Sequence, residues 1–315
     1  LSLDVSGSGT WNAPQLRGQF AIHDGNVDLP SLGVRYGPIN AHARFVADSM
    51  VIDSMVVGDD DANLSVKGGL RFAHLSQPTM DLQIRARSFL AIDALSFLTI
   101  RASGNVHMTG PLLQPVLTGN RLTITRSVIY FTDLVTKDVI DLEDPENAAL
   151  IDTVALRRQG LKNEFSNRFL DSLRIVGLPL HVGTDVWLRS AQANIELDGD
   201  LTVDKDRKAY FLTGQLNADR GTYTLQVGPI SRDFSVDQGT VRYFGTADNN
   251  PDLQIQAYHQ VRTVDGDDFN VIATITGQIR APKVTLTAPG RDISPRDIVS
   301  YLLFGRSEFQ LTGSQ

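Results

Sequence analysis

Cysteine is absent from all 315 residues, which excludes disulfides and thiolate metal sites and fits a bacterial envelope protein as well as a cytosolic one. An excess of positive charge is missing too. With 29 Lys and Arg against 36 Asp and Glu, the formal net charge is -7 and the pI near 5.3, so the chain lacks the basic footprint that nucleic acid requires. No stretch approaches the roughly 18 uncharged apolar residues of a membrane-crossing helix. The opening Leu1-Ser2-Leu3-Asp4-Val5 is neither a basic leader nor a signal peptide. Because the chain starts without Met and within an alternating pattern, it is expected to be a piece of a longer protein.

Catalytic signatures are likewise missing. His23, His42, His74, His107, His181 and His259 are dispersed, with no spacing that puts two imidazoles on one metal. There is no nucleophile elbow, Walker loop or dinucleotide-binding glycine motif, and Gly7-Ser8-Gly9 reads as a turn. Asp59-Asp60-Asp61 and Asp265-Gly266-Asp267-Asp268 could offer oxygens to calcium, but neither has EF-hand spacing, and both read as solvated turns.

What the chain has is alternation, and 42% hydrophobic residues with which to bury a core. Leu1, Leu3 and Val5, then Phe20 and Ile22, Val27 and Leu29, Leu64 and Val66, and Leu82 and Ile84 recur at every second position. Such spacing gives strands with one dry face. The pattern is fullest from Phe234 to Gly305: Val241 and Tyr243, then Leu253, Ile255, Ala257 and Val261, then Val271, Ala273, Ile275 and Ile279. Gln254, Gln256, Gln260, Thr274, Thr276 and Gln278 carry the other face, hydrophilic but uncharged. Asp237-Gln238-Gly239 allows a tight turn, and Asn249-Asn250-Pro251 separates two strands. Asp204-Lys205-Asp206-Arg207 forms a charged turn. Ser294 as N-cap, Pro295 at the first helical position, Asp297 in the first turn and Gly305 as a stop predict a short apolar helix.

A loose repeat aligns segments beginning at Gly18, Asn120 and Gly214. Apolar pairs flank a small residue, Gly25, Ser127 or Gly221, which shifts the parity as a turn or bulge would, and the copies read as hairpin-like units. Residues 141–172 differ in kind. Their charge, and Leu161, Phe165, Phe169 and Leu173 at four-residue spacing, predict a helical or loop excursion broken at Gly160. The chain then divides into β-sheet repeats over 1–140, the excursion over 141–172, and a β domain over 173–315. The dry face must be buried by a second layer, by closure or by a ligand, and alternation alone leaves sandwich, β-helix core and ligand groove open.

The C-terminal stretch resembles the TamB family (translocation and assembly module). Phe234, Val236, Gly239, Val241 and Tyr243 match its first strand pair, and Asn250, Pro251, Leu253, Ile255 and Ala257 its N-P-x-L-x-I-x-A strand. Gly277, Pro282, Val284 and Leu286 match the next pair, and Leu302 to Gly305 the closing L-L-F-G helix. Upstream, Val186-Trp187-Leu188-Arg189, Asn194 to Leu197, Gly199 and Gly214 to Tyr223 also resemble family motifs, so the likeness covers roughly 173–305. Residues 141–172 match no family motif.

The resemblance implies an all-β fold: a long antiparallel-rich curved sheet forming a trough, or β-taco, with an apolar interior. It also implies a non-enzymatic periplasmic bridge, anchored in the inner membrane of a diderm bacterium by an N-terminal segment this chain lacks. Such a bridge carries phospholipid acyl chains toward the outer membrane. The expected lining residues are Leu216, Tyr223, Leu225, Val236, Val241, Tyr243, Leu253, Ile255, Ala257, Val271, Ala273, Ile275 and Leu286. Ile298, Tyr301, Leu302, Leu303 and Phe304 form a candidate docking helix, with core packing the alternative. The implied protein partner is a BamA-like outer-membrane barrel of TamA type; no cofactor, metal or nucleic acid is implied. The alternative is a scaffold for β-barrel or autotransporter assembly through strand-edge pairing.

Overall fold

A computed structural model of the chain describes residues 1–94, 98–130, 168–190, 192–227, 230–263 and 266–307. The described residues are all-β as expected, in sixteen strands of one hydrogen-bonded sheet. In chain order these are β1 (Ser2–Thr10), β2 (Ala13–Leu29), β3 (Val34–Ala47), β4 (Ser49–Gly58), β5 (Asn63–Arg71), β6 (Thr79–Ala94), β7 (Leu98–Pro111) and β8 (Val116–Tyr130). A short helix α1 (Arg168–Ser172) precedes β9 (Arg174–Val182), β10 (Val186–Arg189), β11 (Ala193–Asp206) and β12 (Ala209–Val227). There follow β13 (Ile230–Phe244), β14 (Asp252–Val261), β15 (Phe269–Gln278), β16 (Ala281–Thr287) and helix α2 (Pro295–Phe304).

Neighbours in sequence pair antiparallel from β1 to β7 and from β13 to β16. This meander is interrupted at β9, which pairs parallel with β8, Val116 opposite Arg174 and Ile124 opposite Val182. Parallel neighbours need a long connection. Residues 131–173 supply one, and most of the expected excursion, including Leu161, Phe165 and Gly160, lies outside the described residues. Its last turn is α1, where Phe169 is exposed and its carbonyl accepts from the Leu173 amide at 3.0 Å.

The chain divides into two compact units that interleave along the sequence. The first comprises Leu1–Val128, Asn163–Thr184 and Asp200–Thr213, the second Ile129–Lys162, Asp185–Gly199 and Gly214–Gln315. In the first, the register aligns apolar residues into rows that cross the strands. Leu3, Phe20, Ala43, Ile52, Gly68, Leu82 and Met108 form one row from β1 to β7. Ile22, Ala41, Met55, Val66, Ile84 and Val106 form the row beside it. The opposite face carries ion pairs such as Arg44 with Asp53 at 2.7 Å and Arg71 with Asp48 at 3.0 Å.

Several expected turns are instead features within strands. Gly7-Ser8-Gly9 lies in β1, where Gly7 faces Leu16 and Gly9 faces Pro14. Asp237-Gln238-Gly239 is a register shift inside β13, because one extra residue between Val236 and Gln238 keeps the apolar side chains on one face. The parity-breaking residues of the repeat also lie inside single long strands, not at hairpin tips. Gly25 marks a shift in β2. Ser127 is buried in β8, its hydroxyl accepting from the Arg101 amide at 3.0 Å and donating to the Thr125 carbonyl at 2.9 Å. Gly221 interrupts β12 at φ 145°, where a Cβ would collide with the Asn194 carbonyl of β11.

Of the expected charged turn, Asp204, Lys205 and Asp206 instead end β11, and Lys205 is buried there. Lys205 donates to the Leu173 carbonyl at 2.9 Å and to the Arg207 carbonyl, and its ammonium lies 5.5 Å from the Tyr210 ring centroid. Desolvation pushes its pKa down, and Asp171 and Asp206 oppose that shift. By contrast, Asp59 behaves as a solvated turn residue, its carboxylate accepting from the amides of Asp61 at 3.1 Å and Ala62 at 2.8 Å.

The close approach at Gly221 is testable. Gly221→Ala is expected to cost about 2 kcal/mol in urea denaturation, since it combines positive φ with a backbone collision. Gly7→Ala, whose new Cβ meets only the Leu16 side chain at 3.5 Å, is expected to change stability little.

Candidate functional site

In the second unit the apolar rows recur across β13 to β16. Val236, Ala257, Ala273 and Leu286 are successive cross-strand neighbours, as are Gly239, Ile255, Ile275 and Val284, and Val241, Leu253, Gly277 and Pro282. Every expected lining residue is described. Leu216, Leu225, Val236, Val241, Ile255, Ala257, Val271, Ala273 and Ile275 are buried, whereas Tyr223, Tyr243, Leu253 and Leu286 are half-buried. Burial pushes the phenol pKa values of Tyr223 and Tyr243 up. At Gly239 a Cβ would come within 2.9 Å of Ile255 and 3.1 Å of Ala218, so side chains of β12 and β14 pack tightly against the β13 backbone there.

Helix α2 covers one end of this face. Its ends match the sequence signals: the Ser294 hydroxyl accepts from the Asp297 amide at 3.1 Å, and Gly305 adopts φ 67° with its amide on the Tyr301 carbonyl at 2.9 Å. Ile298 and Leu302, one helical turn apart, are both 2% exposed, and Tyr301 meets the Phe269 ring edge-on at 5.2 Å. Phe304 is 55% exposed, and Tyr301 and Leu303 are half-buried. Of the five candidate docking residues, Ile298 and Leu302 therefore pack inward and Phe304 faces outward.

Sequence reading missed what holds the helix. Arg232 of β13 donates to the Leu302 carbonyl at 2.7 Å and the Leu303 carbonyl at 3.3 Å, placing a cation on the negative end of the helix dipole. Arg291 stacks over Phe269 at 4.3 Å and pairs with Asp267 at 2.6 Å. Both contacts join residues far apart in the chain, and no local pattern announces them.

On the opposite face of the same unit, Trp187 lies between Arg189 and Arg220, each 5.8 Å from its ring centroid. Its indole donates to Asp185 at 2.7 Å, and Arg220 pairs with Glu196, which also accepts from the Asp185 amide at 2.9 Å. The Arg220 hydrogen bond holds the Glu196 carboxyl below its usual range.

Three of the histidines have acidic or backbone partners. His107 is bonded to Asp81 at 2.7 Å, His181 to Asp200 at 3.0 Å, and His259 to the Asp233 carbonyl at 2.7 Å. Among the described residues no group of three or more His, Asp or Glu could hold a metal ion, and no helix is long and apolar enough to cross a membrane.

The family described as TamB C-terminal domain matches residues 56–315. The chain belongs to the TamB family. It is similar to the Translocation and assembly module subunit TamB of Haemophilus influenzae (strain ATCC 51907 / DSM 11121 / KW20 / Rd), at 25% identity over 312 residues. That match covers 96% of this chain, which spans only 23% of the relative's length. The TamB match takes in the rows of β13 to β16, α2 and the Trp187 cluster, and begins within β4. The TamB-like W-x-R and R-G-x-Y segments thereby acquire a physical reading: Trp187, Arg189 and Arg220 form one stack, and Gly221 lets β12 approach β11 beside it.

Leu302→Ala is expected to cost about 2–5 kcal/mol in chemical denaturation through the cavity it leaves, whereas Phe304→Ala should cost under about 0.5 kcal/mol. Because its folded pKa is lowered, Glu196 adds stability above its ordinary pKa that is lost as pH falls through the folded value. In a Trp11→Phe background, acid titration should therefore change Trp187 fluorescence together with loss of the Arg220 pair. Glu196→Gln should remove that transition.

Proposed function

We propose that this domain is a non-enzymatic carrier surface for phospholipid acyl chains. It serves in the periplasm as part of an inner-membrane-anchored envelope protein of a diderm bacterium. Acyl chains pass along its apolar rows between the inner and outer membranes in support of outer-membrane biogenesis. A TamA-type, BamA-like barrel is the outer-membrane partner within the translocation and assembly module.

The observation that carries this reading is the row from Leu3 to Met108. It crosses seven strands, and at strand spacing it is about 29 Å long, longer than an extended acyl chain of common length. Phe20, Ile52, Leu82 and Met108 along it are only half-buried, so contact area is still available. An acyl chain has no directional groups and gains about 0.8 kcal/mol for each methylene it buries. A continuous dry strip is the surface that suits it.

A second reading, a scaffold for outer-membrane β-barrel or autotransporter assembly, draws support from β16. Among the described residues that strand ends the hydrogen-bonding order, with one edge left for another strand, although Pro282 and Lys283 blunt it. It does not require lipid on the apolar rows.

Site-specific photo-crosslinking in the intact protein in cells separates the two. Probes at Leu82 and Met108 should capture phospholipid, and a probe at Gln19 on the opposite face should not. Ile255→Asp or Ile275→Asp should stop lipid passage, while Thr274→Asp on the other face should leave it within about twofold of the parent, as surface changes usually do. Lipid capture undiminished by the Ile variants would overturn the carrier reading, as would its absence at Leu82 and Met108.

A further inference from the structure

The polar face of the first unit holds a hollow of about 520 Å³ over the middle of β5 to β8. Ser65, Arg85 and Asn105 are successive cross-strand neighbours along one side, and Lys67, Gln83 and His107 along the other. Asn120 of β8 also lines it. Several cations of this unit have acids within reach: Arg44 with Asp53, Arg71 with Asp48, Arg121 with Asp200, and His107 with Asp81. Among the described residues Lys67 and Arg85 make no ion pair, and the side-chain amides of Gln83, Asn105 and Asn120 make no hydrogen bond.

Two cations on diagonal positions of paired strands lie about 7 Å apart at their Cβ atoms and repel. In a chain of net charge -7, acids to relieve that repulsion are plentiful. Asp81 is the other diagonal neighbour of Lys67, and its carboxylate is hydrogen-bonded to His107. The hollow presents two cations outside any ion pair and three neutral amides able to donate. We propose that it binds a phosphate-type oxyanion, held by Lys67 and Arg85 and hydrogen-bonded by Gln83, Asn105 and Asn120. The site does not depend on the acyl-chain reading, since it occupies the opposite face.

The test is a titration of the purified chain with inorganic phosphate at constant ionic strength, followed by amide chemical shifts and melting temperature. Saturable shifts at Lys67, Arg85 and Asn105 with a rise in melting temperature are expected. The Lys67→Gln/Arg85→Gln double variant should melt no lower than the parent without phosphate and should bind phosphate at least about tenfold more weakly. Arg44→Gln, which breaks a neighbouring ion pair, should leave binding unchanged. Flotation with phosphatidylglycerol and phosphatidylcholine vesicles then assigns the source. Co-flotation with phosphatidylglycerol that the double variant loses identifies a lipid headgroup, and phosphate binding without flotation identifies the free anion. Non-saturable shifts, or a double variant that titrates like the parent, would overturn the proposal.

Discussion

Everything in this sheet depends on register. Side chains alternate with period two, so a slip of one residue would turn an entire strand's apolar set toward water. The apolar rows exist only because consecutive antiparallel strands hold a common alignment: Val66 sits opposite Ile84, and Ile84 opposite Val106. Long strands make that alignment hard to keep, since β2 runs for 17 residues and β12 for 19, well beyond the usual strand. Bulges accommodate it. The register shifts near Gly25 in β2 and Val236 in β13 reset parity where twist would otherwise carry apolar residues off the face.

The same constraint explains what could be read from the sequence. Alternation at Leu253, Ile255 and Ala257 identified strands and their dry face without any knowledge of partners, because that signal lies within one strand. The α2 boundaries were equally legible, since Ser294, Pro295, Asp297 and Gly305 act within a single turn. Asp237-Gln238-Gly239 was misleading: a polar residue before glycine suits a turn and a bulge alike, and only the partner strand decides between them. Lys205 misled for a related reason, because it sits among charged residues yet its burial comes from Leu173, 32 residues away. Alternation found Phe20, Ile22, Leu82 and Ile84 as strand residues, but their membership in rows required the pairing of β2 through β7.

The two faces divide the electrostatics from the hydrophobic contacts. Ion pairs on the polar face, such as Arg44 with Asp53, are exposed, and pairs of that kind contribute little to stability. Their value here is as cross-strand neighbours of fixed pairing, which disfavour wrong registers through like-charge contacts. Among the described residues Lys67 and Arg85, diagonal neighbours on β5 and β6, make no such pair. The Trp187 stack is the opposite case, since Arg189, Arg220, Glu196 and Asp185 satisfy one another around a single indole.

Helix α2 shows how an apolar face can be closed at one place and stay available elsewhere. In the same unit Phe234 and Val271 are wholly buried, and Ile298 and Leu302 of α2 are nearly so. That closure rests on Arg232, whose guanidinium satisfies carbonyls that the end of the helix would otherwise leave unpaired. Leu253 and Leu286 in the same unit are half-buried, and so is most of the row from Phe20 to Met108 in the other. A face that served only as a core would be expected to bury its rows along their whole length, because each exposed methylene forgoes about 0.8 kcal/mol. The incomplete burial of aligned, uninterrupted apolar rows is thus better matched to a surface that exchanges contacts with an apolar ligand than to one sealed by its own side chains.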